Sequence, residues 1–285
     1  PFVSTGCYIM AEEARVYSLA DQTARFERAK AENNERYLNI ASVFDGSYLK
    51  DKRVLIVGAN KGLGLCIAQE LAKQGAHLIG TCRSTSPELD ACAKQVVSNV
   101  EVTSQESFKA MALQITEPLD YLIFNAGYFP DIVDNLESPN DQEALKQVDI
   151  CALGPLRCVS ACRSAGILKG AKVAIITSQA GSAQWRFTQN EGKGGDYGHH
   201  MCRAACNMGC ALMSEEMKAE GIPITMLHPG FNRTGMTSKY SHIWDKEGAV
   251  DATEGAMRVL YEVGKISMES TGKFINTEDG LQIPF

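Results

Sequence analysis

Several features are scarce or missing in this 285-residue chain, and each absence removes a class of protein. Ten cysteines occur, yet no Cys-x-x-Cys pair does, and most lie in apolar or helical stretches (Cys66, Cys158, Cys162, Cys202, Cys206, Cys210). That pattern speaks against a disulfide scaffold and a zinc framework, and for reduced thiols in a reducing compartment. No apolar run approaches the roughly 18 residues that span a bilayer, and the start lacks a charged-then-apolar signal segment, so a soluble domain is expected. Basic residues are outnumbered, 28 Lys and Arg against 34 Asp and Glu, for a net charge of −6. A dedicated nucleic-acid or anionic-membrane binder would show basic clustering, which leaves small ligands and protein partners. Internal repeats and low-complexity tracts are absent as well. The chain opens on Pro1 in place of Met, which fits a processed organelle precursor as well as a missing start.

Apolar residues make up 45% of the chain, enough for a substantial core, and the length suits one α/β domain with an appendage. Residues 9–43 contain neither Gly nor Pro. Val16, Leu19, Ala20, Thr23 and Phe26 recur at helical spacing, followed by Tyr37, Leu38, Ile40, Val43 and Phe44, while Glu13, Arg25, Arg28 and Glu35 mark an opposite, polar face. One long amphipathic helix is therefore expected in an N-terminal extension over 1–50, serving either as a docking arm for another chain or as a clamp on its own domain. The turn Asp45-Gly46-Ser47 closes it. From residue 51 onward, apolar runs alternate with helical stretches, the pattern of a Rossmann-like, doubly wound parallel sheet in a three-layer α/β/α domain over 51–285. Seven strands are expected at 53–57, 77–82, 100–102, 121–125, 172–177, 224–228 and 272–276.

Directly after the first expected strand comes Gly58-Ala59-Asn60-Lys61-Gly62-Leu63-Gly64, a Gly-x3-Gly-x-Gly turn that opens a helix. Glycines permit a tight turn and close backbone approach, and the helix N-terminus offers unpaired N–H groups to a pyrophosphate. A glycine trio is a weak signal alone; its place between a strand and a helix at the start of an α/β unit makes it strong. Lys61 lies inside that turn. Arg83 follows the second strand, where an acid would otherwise accept the ribose 2′-hydroxyl of NAD, so the two cations favour the 2′-phosphate of NADP. Glu101-Val102, expected to end the third strand, offers a carboxylate to an adenine amino group, and Asn125-Ala126-Gly127 ends the fourth.

These segments resemble the short-chain dehydrogenase/reductase family over residues 51–285, nearest its C-factor-like and carbonyl-reductase-like branches. The resemblance is carried, in the family's order, by GANKGLG, by TCR at 81–83, NAG at 125–127, GPL at 154–156, TSQAGS at 177–182, HPGFNRT at 228–234 and the closing GKFIN…DGLQIPF. It implies a dinucleotide bordered also by Pro229, Gly230 and Thr234, and a catalytic Ser, Tyr, Lys and Asn. The serine is matched by Ser178. Tyr197 looks like the start of a Tyr-x3-Lys motif, which would place Met201 at the lysine. The following Cys202-Arg203-Ala204-Ala205-Cys206-Asn207-Met208 instead aligns with the family's Ser-Lys-Ala-Ala-Leu-Asn-Met, putting His199 at the tyrosine and Arg203 at the lysine. The asparagine, three residues before the glycine of GPL, is replaced by Cys151.

Reduction of a carbonyl requires an acid within hydrogen-bond reach of the oxygen that becomes an alkoxide. A histidine beside a cation such as Arg203 is held neutral and is a poor reservoir of acid. Arginine does not release its proton, but it can hold ribose hydroxyls. Two readings follow. In the first, the chain is an NADP(H)-binding, catalytically impaired protein, an accessory or structural subunit that docks through residues 1–50. In the second, it is an NADPH-dependent carbonyl reductase using Ser178 with His199 or Tyr197 as proton donor. Homo-oligomers are compatible with both. His199, Cys202 and Cys206 have a spacing that suits metal ligation, yet Cys202, Cys206 and Cys210 read better as small residues on a packed helix face, and no metal is expected. The expected pocket segments, 185–187 and 231–244, mix aromatic and polar residues without a fixed charge partner, so they do not name a substrate.

Overall fold

The structure is a computed structural model that describes residues 15–132, 134–189 and 192–285. The extension is not one long helix. Helix α1 (Gln22–Ala31) starts where the Asp21 carboxylate accepts from the Ala24 N–H, and α2 (Glu35–Leu38) starts where Asn34 caps Tyr37. The intervening Asn33 adopts φ 48°, a left-handed conformation that breaks the helix. The sidedness read from the sequence also changes. The buried face of α1 is Gln22, Arg25 and Ala29, whereas Val16 is 52% exposed. Glu13 lies outside the described residues.

The remaining elements follow the expected alternation. They are β1 (Arg53–Val57), α3 (Gly62–Lys73), β2 (His77–Thr81), α4 (Pro87–Cys92), β3 (Gln95–Val97), α5 (Gln105–Ala112), β4 (Tyr121–Phe124) and α6 (Asp141–Val148). There follow α7 (Gly154–Ser164), β5 (Lys172–Ile176), α8 (Tyr197–Met217), β6 (Ile224–His228), a short pair β7 (Asn232–Arg233) and β8 (Val250–Asp251), α9 (Ala252–Gly264) and β9 (Phe274–Asn276). The seven long-sheet strands run parallel in the order β3-β2-β1-β4-β5-β6-β9. One expected strand was misplaced: the third strand is Gln95–Val97, not 100–102. Val100 bonds back to the Cys82 carbonyl, but the chain then turns, with Ser104 N–H on the Glu101 carbonyl, toward the cap of α5. Gln95–Val97 and the segment 100–102 each carry two valines, and three residues show too little periodicity to separate a strand from its neighbour.

Alternate strand residues build two cores, as the period of a strand requires. Leu55, Val57, Leu122, Phe124, Val173 and Ile175 pack beneath α5, α7 and α8. Val54, Ile56, Leu78, Ile123 and Ala174 pack beneath α3 and α9. The strand order reverses at β1 and β4, the place in an open α/β sheet where a crevice opens beyond the carboxyl ends of the strands.

The extension wraps onto this frame. Its backbone joins the sheet margin through Ser18 N–H to the Gln282 carbonyl and Gln282 N–H to the Val16 carbonyl, both 2.9 Å. Tyr37 and Ile40 are buried, and Leu49 joins the core under α3 and α9. No helix among the described residues is long and apolar enough to cross a membrane.

Candidate functional site

The glycine turn sits in the crevice. Gly58 has φ 84°, and a Cβ there would stand 2.8 Å from the Ala126 backbone, so the turns after β1 and β4 touch only because position 58 has no side chain. A Cβ at Gly64 would lie 2.0 Å from the Gly58 carbonyl oxygen, which also accepts from Asn125 Nδ2 at 2.9 Å. At Gly62 a Cβ would meet nothing within 4 Å, so the turn is open there, and Lys61 gives the first amides of α3 no side-chain cap. Asn60 Nδ2 donates to the Ser84 carbonyl at 2.8 Å, pinning the turn to the segment after β2. Lys61 and Arg83 are both exposed on those two tethered segments. Leu63 lines the first turn of α3. Glu101 and Val102 lie in the turn before α5, where the Glu101 carboxylate accepts from Thr103 N–H at 3.3 Å and the Val102 carbonyl from Arg157 at 3.3 Å.

The other half of the crevice is framed by the loops after β5 and β6 and by the start of α8. Ser178, half-buried, accepts from Ala180 N–H at 3.2 Å through its hydroxyl. The next turn, Gln179–Gly181, packs on α8 so tightly that a Cβ at Gly181 would stand 2.7 Å from the Arg203 backbone. Thr177 Oγ1 donates to Asn207 Oδ1 at 2.8 Å, which fixes the register of α8 against β5. His199, Arg203 and Asn207 recur every four residues and share this inward face. Tyr197 is two residues away from His199, a rotation of about 200° around the helix. Its hydroxyl instead neighbours Gly194 of the preceding loop, where a Cβ would be 3.1 Å away.

Arg203 is buried, and its Nη2 lies 3.0 Å from where a Cβ would sit on Gly127. Its Nη1 reaches the Ile176 carbonyl only at 3.5 Å, and its Nε has no partner among the described residues. His199 rests against Phe129, ring centroids 4.5 Å apart, with Nδ1 likewise unpartnered. Burial first, then the Arg203 charge and further cations including Lys239, hold the His199 imidazole well below its ordinary pKa. Cys151, in a π-helical turn between α6 and α7, takes the Tyr128 N–H at 3.4 Å. A contact with Cys202 and the Arg203 charge draw its thiol pKa downward, while Cys202 is pushed up. Pro229 and Gly230 (φ 76°) follow β6, and Thr234 caps the short helical stretch after them. All nine cysteines among the described residues are free thiols; Cys202, Cys206 and Cys210 line one buried side of α8.

Three further neighbours complete this half-site, and of them only Lys239 falls in an expected pocket segment, 231–244. Phe129 and Lys239 belong to it because Lys239 Nζ stands 3.5 Å from the Phe129 ring centre, behind His199. Asp196, in a left-handed conformation at the start of α8, has its carboxyl raised to about 6 by burial, only partly offset by Lys239. Nothing in the spacing marks Lys239; an aromatic two places beyond Asn125-Ala126-Gly127 was the one visible cue for Phe129.

Known proteins of this architecture bear on the site. The 1-hydroxy-2-glutathionyl-2-methyl-3-butene dehydrogenase of Rhodococcus sp. (strain AD45) is 29% identical over 79% of this chain and 96% of its own. The C-signal protein of Myxococcus xanthus is 32% identical over 60% of this chain and 95% of its own. Among solved structures, the NADPH-bound carbonyl reductase from chicken fatty liver superposes with a TM-score of 0.70 at 24% identity, covering 83% of this chain and all of that one. The carbonyl reductase Sniffer of D. melanogaster gives 0.71 at 22%, over 82% of this chain and 99% of its own. Both show a shared fold. The short chain dehydrogenase family pattern matches residues 52–243, from the strand before the glycine turn to beyond the loop after β6, and by that match this protein belongs to the short chain dehydrogenase family.

Proposed function

We propose that this protein binds NADP(H) in the crevice and turns over carbonyl substrates poorly, so that ligand occupancy, and not a high catalytic rate, is its main output. The residues fit the dinucleotide. The glycine turn is open at Gly62, and the buried Arg203 guanidinium faces Gly127 with an unpartnered Nε suited to ribose hydroxyls. Lys61 and Arg83 stand on tethered segments beside the expected 2′-phosphate. When bound, the nicotinamide supplies or accepts a hydride.

The single observation that carries the impaired chemistry is the state of His199. Ser178 can orient a carbonyl oxygen, but the group placed to protonate it is an imidazole that burial and cations keep neutral, beside an arginine that does not release a proton. Rescue by Tyr197 would require its hydroxyl to leave Gly194 and cross to the other side of α8. An accessory role in an assembly is consistent with occupancy as the output.

Fluorescence titration of NADPH and NADH into the protein, followed by NADPH oxidation assays with a carbonyl panel, tests both halves. Because one relative is a dehydrogenase of a glutathionyl alcohol, the panel includes glutathione-conjugated aldehydes. Tight, NADPH-selective binding with turnover near background is expected. Equal NADH affinity would overturn the cofactor assignment, and kcat values of an ordinary reductase, about 1 s⁻¹ or more, would overturn the impairment.

A further inference from the structure

Arg25 lies in the N-terminal extension, outside the stretch that matches the family, yet its side chain is fully buried at the rim of the candidate site. Its Nε donates to Glu278 Oε2 at 2.9 Å, and its Nη2 donates to Gln179 Oε1 at 2.8 Å. The guanidinium also stands 5.7 Å over the ring of Trp185. Gln179 is the residue after Ser178, and Trp185 lies in the same loop. Glu278 reaches in the other direction: its Oε1 accepts from Phe231 N–H at 3.1 Å, and a Cβ on Gly230 would stand 2.6 Å from its Cγ. One buried cation therefore joins α1 to both loops that frame the inner half of the crevice.

We propose that α1 is a positioning element of the candidate site, with Arg25 holding the Ser178 loop through Gln179 and the loop after β6 through Glu278. A buried ion pair needed only for folding could be satisfied by Glu278 alone. The planar fork of Arg25 instead spans the Glu278 carboxylate, the amide oxygen of Gln179 and, within the extension, Gln22 Oε1 and the Leu19 carbonyl, a geometry that lysine does not reproduce. Order in α1 and order in the Ser178 loop are thus two parts of one hydrogen-bonded unit. Any ligand that orders the loop orders α1, and by reciprocity α1 raises the affinity for that ligand. The ligand named here is NADP(H), so this half of the inference rests on the dinucleotide reading.

The test uses the full chain and two variants at one position. Gln179→Met keeps side-chain size but removes the acceptor, whereas Gln179→Glu keeps an acceptor for Arg25. Hydrogen exchange of the segment 178–187 is measured without ligand, and NADPH affinity by fluorescence titration. Gln179→Met is expected to speed exchange in 178–187, to weaken NADPH about fivefold, the low end of usual coupling between sites, and to abolish NADPH protection of 22–31; Gln179→Glu restores all three. Unchanged exchange in 178–187 and unchanged NADPH affinity in Gln179→Met would overturn the proposal. Faster exchange in that variant, with no NADPH binding even by the parent protein, would uphold the positioning role and refute the dinucleotide reading instead.

Discussion

At the scale of single residues, the site is decided by what occupies three inward positions. His199, Arg203 and Cys151 stand where the family resemblance expects a tyrosine, a lysine and an asparagine, and the packing puts His199 and Arg203 on the face of α8 that meets the Ser178 loop. Replacing His199→Tyr together with Arg203→Lys gives a phenol beside an ammonium that can lower its pKa. We expect carbonyl reduction to rise about 100-fold, the low end of general-acid catalysis, with NADPH affinity retained. Cys151→Asn is added if the gain is small. A doubly substituted protein that binds NADPH yet reduces carbonyls no faster than its parent would sink the assignment of His199 to the proton-donor position. On the adenosine side, Arg83→Ala should weaken NADPH by roughly tenfold or more, the loss of one charge-assisted contact, and leave NADH unchanged. Equal losses for both cofactors would show that Arg83 does not read the 2′-phosphate.

Two elements set the limits of the fold, and each carries a stability prediction. In the glycine turn, Gly64→Ala forces a Cβ against the Gly58 carbonyl and Asn125, so it should cost stability and dinucleotide affinity together. Gly64→Ala with a parental melting temperature would mean that the turn can move aside. The N-terminal extension is the second element. Of the two roles expected for it, the burial of Arg25 against Glu278, and of Tyr37 and Ile40, predicts the clamp. A truncation beginning at Leu49 leaves Glu278 with Arg258 at 3.8 Å as its remaining charged partner. Removing one member of a buried pair costs about 3–5 kcal/mol, so the melting temperature should fall on the order of 10 °C. Thermal denaturation of the truncated chain checks this; an unchanged melting temperature with loss of partner chains would make the extension a docking arm.

For the molecule as a whole, buried ionisable groups predict the response to acid. Burial lowers the His228 pKa from 6.5 to about 3. Glu278 is lowered from 4.5 to about 2: burial alone would raise it, but Arg25 and Arg258 outweigh that effect. In both cases the unfolded chain binds protons more readily than the folded one. Stability is therefore complete above about pH 6.5 and drains as pH falls, through His228 and the likewise depressed His199 first and then, below 4.5, through Glu278. Asp196, raised to about 6, acts in the opposite sense over its own range but is partly exposed and screened. Urea denaturation at pH 7 and pH 5 should show parental stability falling, and His228→Leu should flatten that fall. A slope unaffected by the substitution would place the acid sensitivity elsewhere.

The sequence by itself determined the sheet and the glycine turn, because strand period and turn chemistry are local properties of the chain. Six of the seven strands lie within a few residues of their expected places; the exception, Gln95–Val97, is short and at the sheet edge, where burial pattern is weakest. Only the tertiary structure showed where the extension packs. Read along a helix, Arg25 belongs to a solvent face. It is instead buried because Glu278, 253 residues away, supplies the countercharge that makes a buried guanidinium tolerable. Tertiary packing likewise set which face of α8 looks inward, since Gly181 allows the helix to approach the Ser178 loop at Arg203 and Asn207. Pairings between residues so distant in sequence leave no periodic trace, and the site's electrostatics depend on them.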